Sequence, residues 1–249
     1  MKQTLARELL APFATGRALL AFDFDGTLAP IVADREHAVM RPRTRELFTR
    51  VCERYPVAVI SGRARPDVAA RLIGTAPRYV IGNHGAEPDG AGAIDGLAAL
   101  EREIASVLPL LQQALGGSPG IEIEDKRYSL ALHYRHATDE VLAREAIARA
   151  VTALPIPIRT TPGKRVVNVL ASRARHKGDS FLALCAGERA ERSLFVGDDV
   201  TDEDVFSTAA SSFLGIRIGA ATSSAARHFL HDQLEIDGLL DALVGLRAP

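Results

Sequence analysis

Residues 18–28 read Ala-Leu-Leu-Ala-Phe-Asp-Phe-Asp-Gly-Thr-Leu. The first five are apolar without a break, the mark of a strand covered on both faces of a parallel sheet. Beyond it Asp23 and Asp25 alternate onto one side while Phe24 points to the other, and Gly26 permits a tight turn. Similar short apolar runs recur on both sides of this one: PVAVIS at 56–61, RYVIGNHG at 78–85, SLFVG at 193–197 and FLGIRIG at 213–219. Helix-like segments separate them, TRELFTRVCERY at 44–55, PDVAARLI at 66–73 and DSFLALCAG at 179–187, and a further helix is expected at the C-terminus. Strands alternating with helices predict an α/β fold, a doubly wound, Rossmann-like parallel sheet.

The middle of the chain has another rhythm. Leu97, Leu100, Ile104, Leu108, Leu111 and Leu115 follow helical spacing, with Pro109 expected to bend or interrupt the helix. Two strand-like runs follow, IEIED at 121–125 and YSLALHYR at 128–135, then a helix from about 139 to 153, then IPIRT and VVNVL, ending at 170. Strand, strand, helix, strand, strand describes an antiparallel sheet with helices on one side. The expected organisation is a core formed by 1–99 and 171–249, with a smaller α+β domain, 100–170, inserted into it.

Composition narrows the function. The 249 residues carry 30 Lys+Arg against 31 Asp+Glu, a net charge of −1, which disfavours a nucleic-acid partner. The longest uncharged stretch, 104–121, is broken by Gln112, Gln113, Gly116, Gly117, Ser118 and Pro119, so no membrane-spanning helix is expected. Arg7 and Glu8 interrupt the N-terminal segment, which reads as a short amphipathic helix and not as a signal peptide. Cys52 and Cys185 lack metal-site spacing and read as reduced, mostly buried thiols. A cytoplasmic monomer acting on a small molecule is the expectation.

In an open parallel sheet, ligands bind beyond the carboxyl ends of the strands. Asp23 and Asp25, Ser61-Gly62-Arg63, Gly82-Asn83-His84-Gly85 and Gly197-Asp198-Asp199 all follow expected strands and should meet on one rim. Paired carboxylates repel unless a cation relieves them. A second acidic group, Asp198, Asp199 and Asp202, suggests a hard divalent ion, and incomplete oxygen coordination favours Mg²⁺. Asp23, Asp25, Asp198 and Asp199 are the expected ligands, because Glu203 and Asp204 suit the first turn of a helix that Thr201 would cap. Only Lys2, Lys126, Lys164 and Lys177 are lysines, so a compact point charge at Lys177 stands out in a chain that otherwise uses arginine.

DFDGTL, Ser61, Lys177-Gly178 and GDDVTD, in that order, resemble the four motifs of the haloacid-dehalogenase-like phosphatases, and the insertion resembles their C2-type cap. More narrowly, ISGR, GNHGAE, EDKRYSLALHYR, HKG and GDDVTDED resemble the trehalose-6-phosphate phosphatases. The resemblance implies that Asp23 attacks phosphorus, Asp25 serves as acid and then base, and Ser61 with neighbouring backbone N–H groups holds phosphate. It also implies that Lys177 offsets negative charge and that Mg²⁺ lies between Asp23, the Asp25 carbonyl and Asp198. Gly62, Arg63 and His84 on the core, and Glu124, Lys126, Arg135 and Asn168 on the insertion, are the expected substrate contacts; neither His84 nor His133 is assigned a proton transfer. The family pattern has an acid where this chain has Asn168, and a basic residue and proline where it has Leu170 and Ala171. A neutral amide gives up a charge-assisted bond of about 1.5–3 kcal/mol for one of about 1 kcal/mol. Activity on another sugar phosphate, or a non-catalytic phosphosugar sensor, is the alternative.

Overall fold

A computed structural model describes residues 8–88, 96–208 and 212–247. The chain divides into two compact units, Met1–Asp89 with Arg175–Pro249, and Gly90–Ala174. The insertion limits expected at 100 and 170 fall inside a helix, Leu97–Leu115, and a strand, Val166–Ala171, both in the second unit.

The first unit holds six parallel strands in the order β10-β9-β8-β1-β2-β3. They are β1 (Ala18–Phe22), β2 (Val57–Ile60), β3 (Tyr79–Ile81), β8 (Arg192–Gly197), β9 (Phe213–Ile218) and β10 (His228–Leu230). All five residues of β1 are buried. Its side chains alternate: Leu20 and Phe22 enter one apolar cluster with Phe48, Val51, Leu240 and Leu243, whereas Leu19 and Ala21 enter another with Phe181, Phe195 and Val205. This two-sided cover is why the strand shows no polar alternation.

Helices α1 (Pro42–Cys52) and α7 (Ile236–Leu246) contribute to the first cluster, and α5 (Lys177–Gly187) and α6 (Glu203–Phe206) to the second. Phe22 and Phe48 meet edge to face at 5.7 Å. The chain's two halves are also joined by polar contacts: Arg41 donates to both carboxylate oxygens of Asp237, at 2.8 and 3.1 Å, and Thr44 adds a bond of 2.6 Å. Helix α2 (Arg65–Arg71) follows β2 directly. Strand β10 has no counterpart in the sequence reading; at three residues it is too short to show a period. Of the expected N-terminal helix, residues 1–7 lie outside the described residues, residues 8–10 are helical, and Ala11–Ala14 continue as a single tight turn.

The second unit is an antiparallel sheet in the order β4-β5-β7-β6, from β4 (Glu122–Asp125), β5 (Ser129–His133), β6 (Ile158–Gly163) and β7 (Val166–Ala171). Its helices are α3 (Leu97–Leu115) and α4 (Glu140–Thr152), the latter capped by Asp139 on the N–H groups of Val141 and Leu142. Helix α3 runs through Pro109 without interruption, and its buried stripe, Leu100, Ile104, Val107, Leu111 and Leu115, includes Val107 in place of Leu108. Burial of that stripe holds a helix that the proline alone would weaken.

Among the described residues no helix is long and apolar enough to cross a membrane. Cys52 and Cys185 are free and half-buried; burial pushes the Cys52 thiol up to about 12 and raises that of Cys185.

Truncating Phe48, fully buried against β1, is expected to cost about 3–5 kcal/mol in urea unfolding. Leu234→Ala, at a site 62% exposed, should stay within about 0.5 kcal/mol of the parent.

Candidate active site

Because the strands of the first unit are parallel, the residues that follow β8, β1, β2 and β3 share one edge of the sheet. Asp198, Asp23, Ser61 and Asn83 stand there, as the sequence pattern predicts. The Asp23 N–H continues the ladder, donating to the Val196 carbonyl at 2.9 Å. The chain then turns: Gly26, at φ +84°, donates to the Ala29 carbonyl, and Ala29 to that of Phe24. A side chain at Gly26 would collide with the Asp198 carboxylate, so the left-handed turn and the close approach both require glycine.

Lys177, the first residue of α5, is 1% exposed. Its ammonium lies 3.0 Å from Asp23 and 2.7 Å from Asp202. Burial works against the charge, but the two carboxylates outweigh it and hold the lysine protonated well above its ordinary range. Asp23 is driven the other way. Desolvation raises its carboxyl well above the usual carboxylate value; Lys177 offsets part of this, and Asp202, Asp198 and Asp25 add to it. Burial raises Asp202 as well, against the pull of Lys177.

Oxygens of Asp23, Asp198 and Asp202 all lie within 4.8 Å of one another. Three carboxylates against one ammonium form a hard, oxygen-only donor set with an excess of negative charge, which fits a small divalent cation. Asp202, counted among the acids that suggest a cation, is not among the expected ligands. Its Oδ1 accepts from Lys177 and its Oδ2 from the Asp199 N–H at 2.9 Å, so its foremost work is to hold the lysine. Asp199, expected as a metal ligand, is outside the cluster and forms a reciprocal capping box with Asp202 around the turn at Val200–Asp202. The acidic spacing alone could not decide between these two, because the direction of each side chain is set by that turn.

The other expected groups divide by position. Ser61 is fully buried, and its Oγ accepts from the Arg63 N–H at 3.2 Å. Its hydroxyl proton is thereby available to an acceptor. Gly62 lies under the His84 ring, where a Cβ would collide with it. His84 and Asn83 both adopt left-handed backbone, φ 55° and 49°, and the His84 N–H donates to the Ser61 carbonyl at 3.0 Å. Glu87 stabilises this turn, accepting from Asn83 Nδ2 at 2.7 Å and from the Arg65 N–H at 2.6 Å. Arg63, expected to bind substrate, is turned onto Asp25 and Asp67.

Within the second unit, cross-strand register places Glu124, Ala131, Asn168 and Thr161 in one row and therefore on one face. His133 shares that face, its Nε2 3.0 Å from Glu124 Oε2, and Lys126 Nζ lies 4.0 Å from the same oxygen. Asn168 Nδ2 donates to the Thr161 carbonyl at 3.4 Å. Arg135 follows the end of β5 and is half-buried.

The model of the family described as Trehalose-phosphatase matches residues 21–232. A trehalose-phosphate phosphatase of Mycobacterium tuberculosis is 34% identical over 197 residues, covering 74% of this chain and 49% of that protein. The chain thus spans about half the length of the mycobacterial relatives it matches. A trehalose 6-phosphate phosphatase of Zea mays is 29% identical over 272 residues, covering 97% of this chain and 75% of that one. Among solved structures, the C-terminal domain of C. albicans trehalose-6-phosphate phosphatase has the same fold, with a TM-score of 0.80 at 20% identity, over 98% of this chain and 97% of that one. The C-terminal domain of a Candida albicans trehalose synthase regulatory protein shares the fold too, at TM-score 0.73 and 13% identity over 97% and 98% of the two chains. The fold is therefore common to proteins described as phosphatase and as regulatory, and it is the family match over 21–232 that classifies this sequence: the chain belongs to the trehalose-phosphatase family.

Proposed function

We propose that the chain is a Mg²⁺-dependent phosphatase that hydrolyses trehalose 6-phosphate to trehalose and phosphate. The observation that carries this reading is the buried Asp23 held by Lys177 beside Asp198, with Asp25 two residues further along the same turn. A regulatory protein that had lost catalysis would not need to keep a buried nucleophile, its lysine and an acid together.

Asp23 is the nucleophile. Its carboxylate oxygen attacks phosphorus in line, the bond from phosphorus to the sugar oxygen breaks, and an aspartyl-phosphate forms. Asp25 gives its proton to the departing sugar oxygen and then takes one from the water that attacks the aspartyl-phosphate, which releases phosphate and restores Asp23. Lys177 holds Asp23 by one oxygen and limits the build-up of negative charge. Ser61 donates its hydroxyl proton to a phosphate oxygen. Asp23, Asp198 and the Asp25 carbonyl are the groups that would hold Mg²⁺, which when bound neutralises charge between the nucleophile and the phosphate. Asp202 is left to Lys177.

The sugar is read by the polar face of the second unit. Glu124, fixed by His133 and Lys126, and Arg135 offer charged partners for hydroxyl groups. Asn168 uses its Nδ2 on Thr161 and keeps its carbonyl oxygen as an acceptor. This neutral acceptor is the one observation that favours another phosphorylated sugar as substrate.

Phosphate release from trehalose 6-phosphate, glucose 6-phosphate and sucrose 6-phosphate, with Mg²⁺ or with EDTA, tests the reading. Turnover of trehalose 6-phosphate is expected to require Mg²⁺ and to vanish in Asp23→Asn; activity that survives either treatment would refute the mechanism, and a preference for another sugar would shift the substrate. Asn168→Asp, which supplies a charged acceptor, should lower KM for trehalose 6-phosphate about fivefold with kcat unchanged.

A further inference from the structure

We infer that Arg63 is a positioning residue for Asp25. It grips the carboxylate that serves as acid and base and does not contact the substrate; the inference rests on the phosphatase reading above. Arg63 Nε donates to Asp25 Oδ2 at 2.7 Å and Nη2 to Asp25 Oδ1 at 2.8 Å, a bidentate pair that fixes the plane of the carboxylate. Nη1 donates to Asp67 at 2.8 Å and Nη2 also to the Arg35 carbonyl at 2.7 Å. Four of the five guanidinium N–H groups are thus engaged by the protein itself, which leaves little to offer a phosphate.

The grip is braced at both ends. The Arg63 N–H donates to Ser61 Oγ, and its carbonyl accepts from the Asn83 N–H at 2.7 Å, so the backbone between β2 and α2 is held from two strands. Asp67, one turn along α2, accepts from Arg63 with one oxygen and from Arg71 Nε with the other at 2.9 Å. Arg71 in turn donates to the carbonyls of Glu36 and Ala38. The result is an alternating line of acid and base, Asp25, Arg63, Asp67 and Arg71, tied to the loop after β1. Exposure separates the roles within it: the Arg63 side chain is 7% exposed and that of Asp25 37%. The arginine is enclosed, and the carboxylate it holds is open to a ligand.

A residue that aims a general acid matters in proportion to how badly the leaving group needs a proton. A sugar alkoxide needs it; p-nitrophenolate leaves without one. The test compares kcat/KM for trehalose 6-phosphate and for p-nitrophenyl phosphate in the whole chain with Mg²⁺, since this ratio reports steps only up to formation of the aspartyl-phosphate. Arg63→Gln should lower kcat/KM for the sugar phosphate about 100-fold or more, mainly through kcat, and leave the aryl phosphate within a few-fold. Arg63→Lys should recover only part of the loss, because an ammonium cannot grip both oxygens. Asp67→Asn, which loosens the far side of the guanidinium, should show the same selectivity to a smaller degree, and it decides the matter if Arg63→Gln does not fold. Equal losses on both substrates, or a rise in KM with kcat held, would overturn the inference and make Arg63 a phosphate contact or a support of the fold. A parent chain inactive on both substrates would refute the phosphatase reading itself, an outcome distinct from uniform loss in the variants alone.

Discussion

The ammonium of Lys177, enclosed between Asp23 and Asp202, is the contact on which the site depends. Burying an isolated charge is costly, and a carboxylate as enclosed as Asp23 cannot stay ionised without compensation. The three groups answer one another: the carboxylates keep the lysine charged, and the lysine lets two acids coexist in a dry place. The compensation is incomplete, since Asp198 brings a third carboxylate within reach, and that excess of negative charge suits a divalent cation. The geometry requires β1, the start of α5 and the turn after β8 to converge, which the parallel pairing of β1 with β8 ensures.

Around this centre polar and charged side chains of the first unit hold one another in place. Asp25 is gripped by Arg63, Arg63 is braced by Asp67, and Glu87 pins the turn at Asn83 to the start of α2. Such an arrangement is preorganised: its groups are placed by folding and held by one another. The second unit has another economy. Its antiparallel sheet turns apolar side chains, Leu130, Leu132 and Val169, to one face and leaves Glu124, His133 and Asn168 on the other. The two-residue period of a strand is sufficient to produce that division.

The fold was legible because its evidence is local. Uninterrupted apolar runs mark strands buried on both faces, helical spacing marks the layers between them, and the change of rhythm near residue 100 marks the insertion. Where local evidence fell short, packing or shortness was the reason. Pro109 does not stop α3 because a buried stripe holds the helix, and β10 is too short to have a period at all. The rim was legible too, since a parallel sheet places the ends of all its strands together and Asp23, Ser61 and Asp198 each follow a strand.

The sequence by itself determined the doubly wound sheet with its inserted α+β unit, the acids at the strand ends, and the singular lysine among arginines. Only the tertiary structure decided which of those groups face one another. Asp202 and not Asp199 meets Lys177, because a single turn sends one side chain inward and the other into its own cap. Arg63 meets Asp25 and not open solvent, because β1 and β2 are parallel neighbours and the residues that follow them come side by side. Spacing along a chain fixes which face of an element a residue occupies. The partner it meets belongs to another segment, and a local pattern carries no record of that distance.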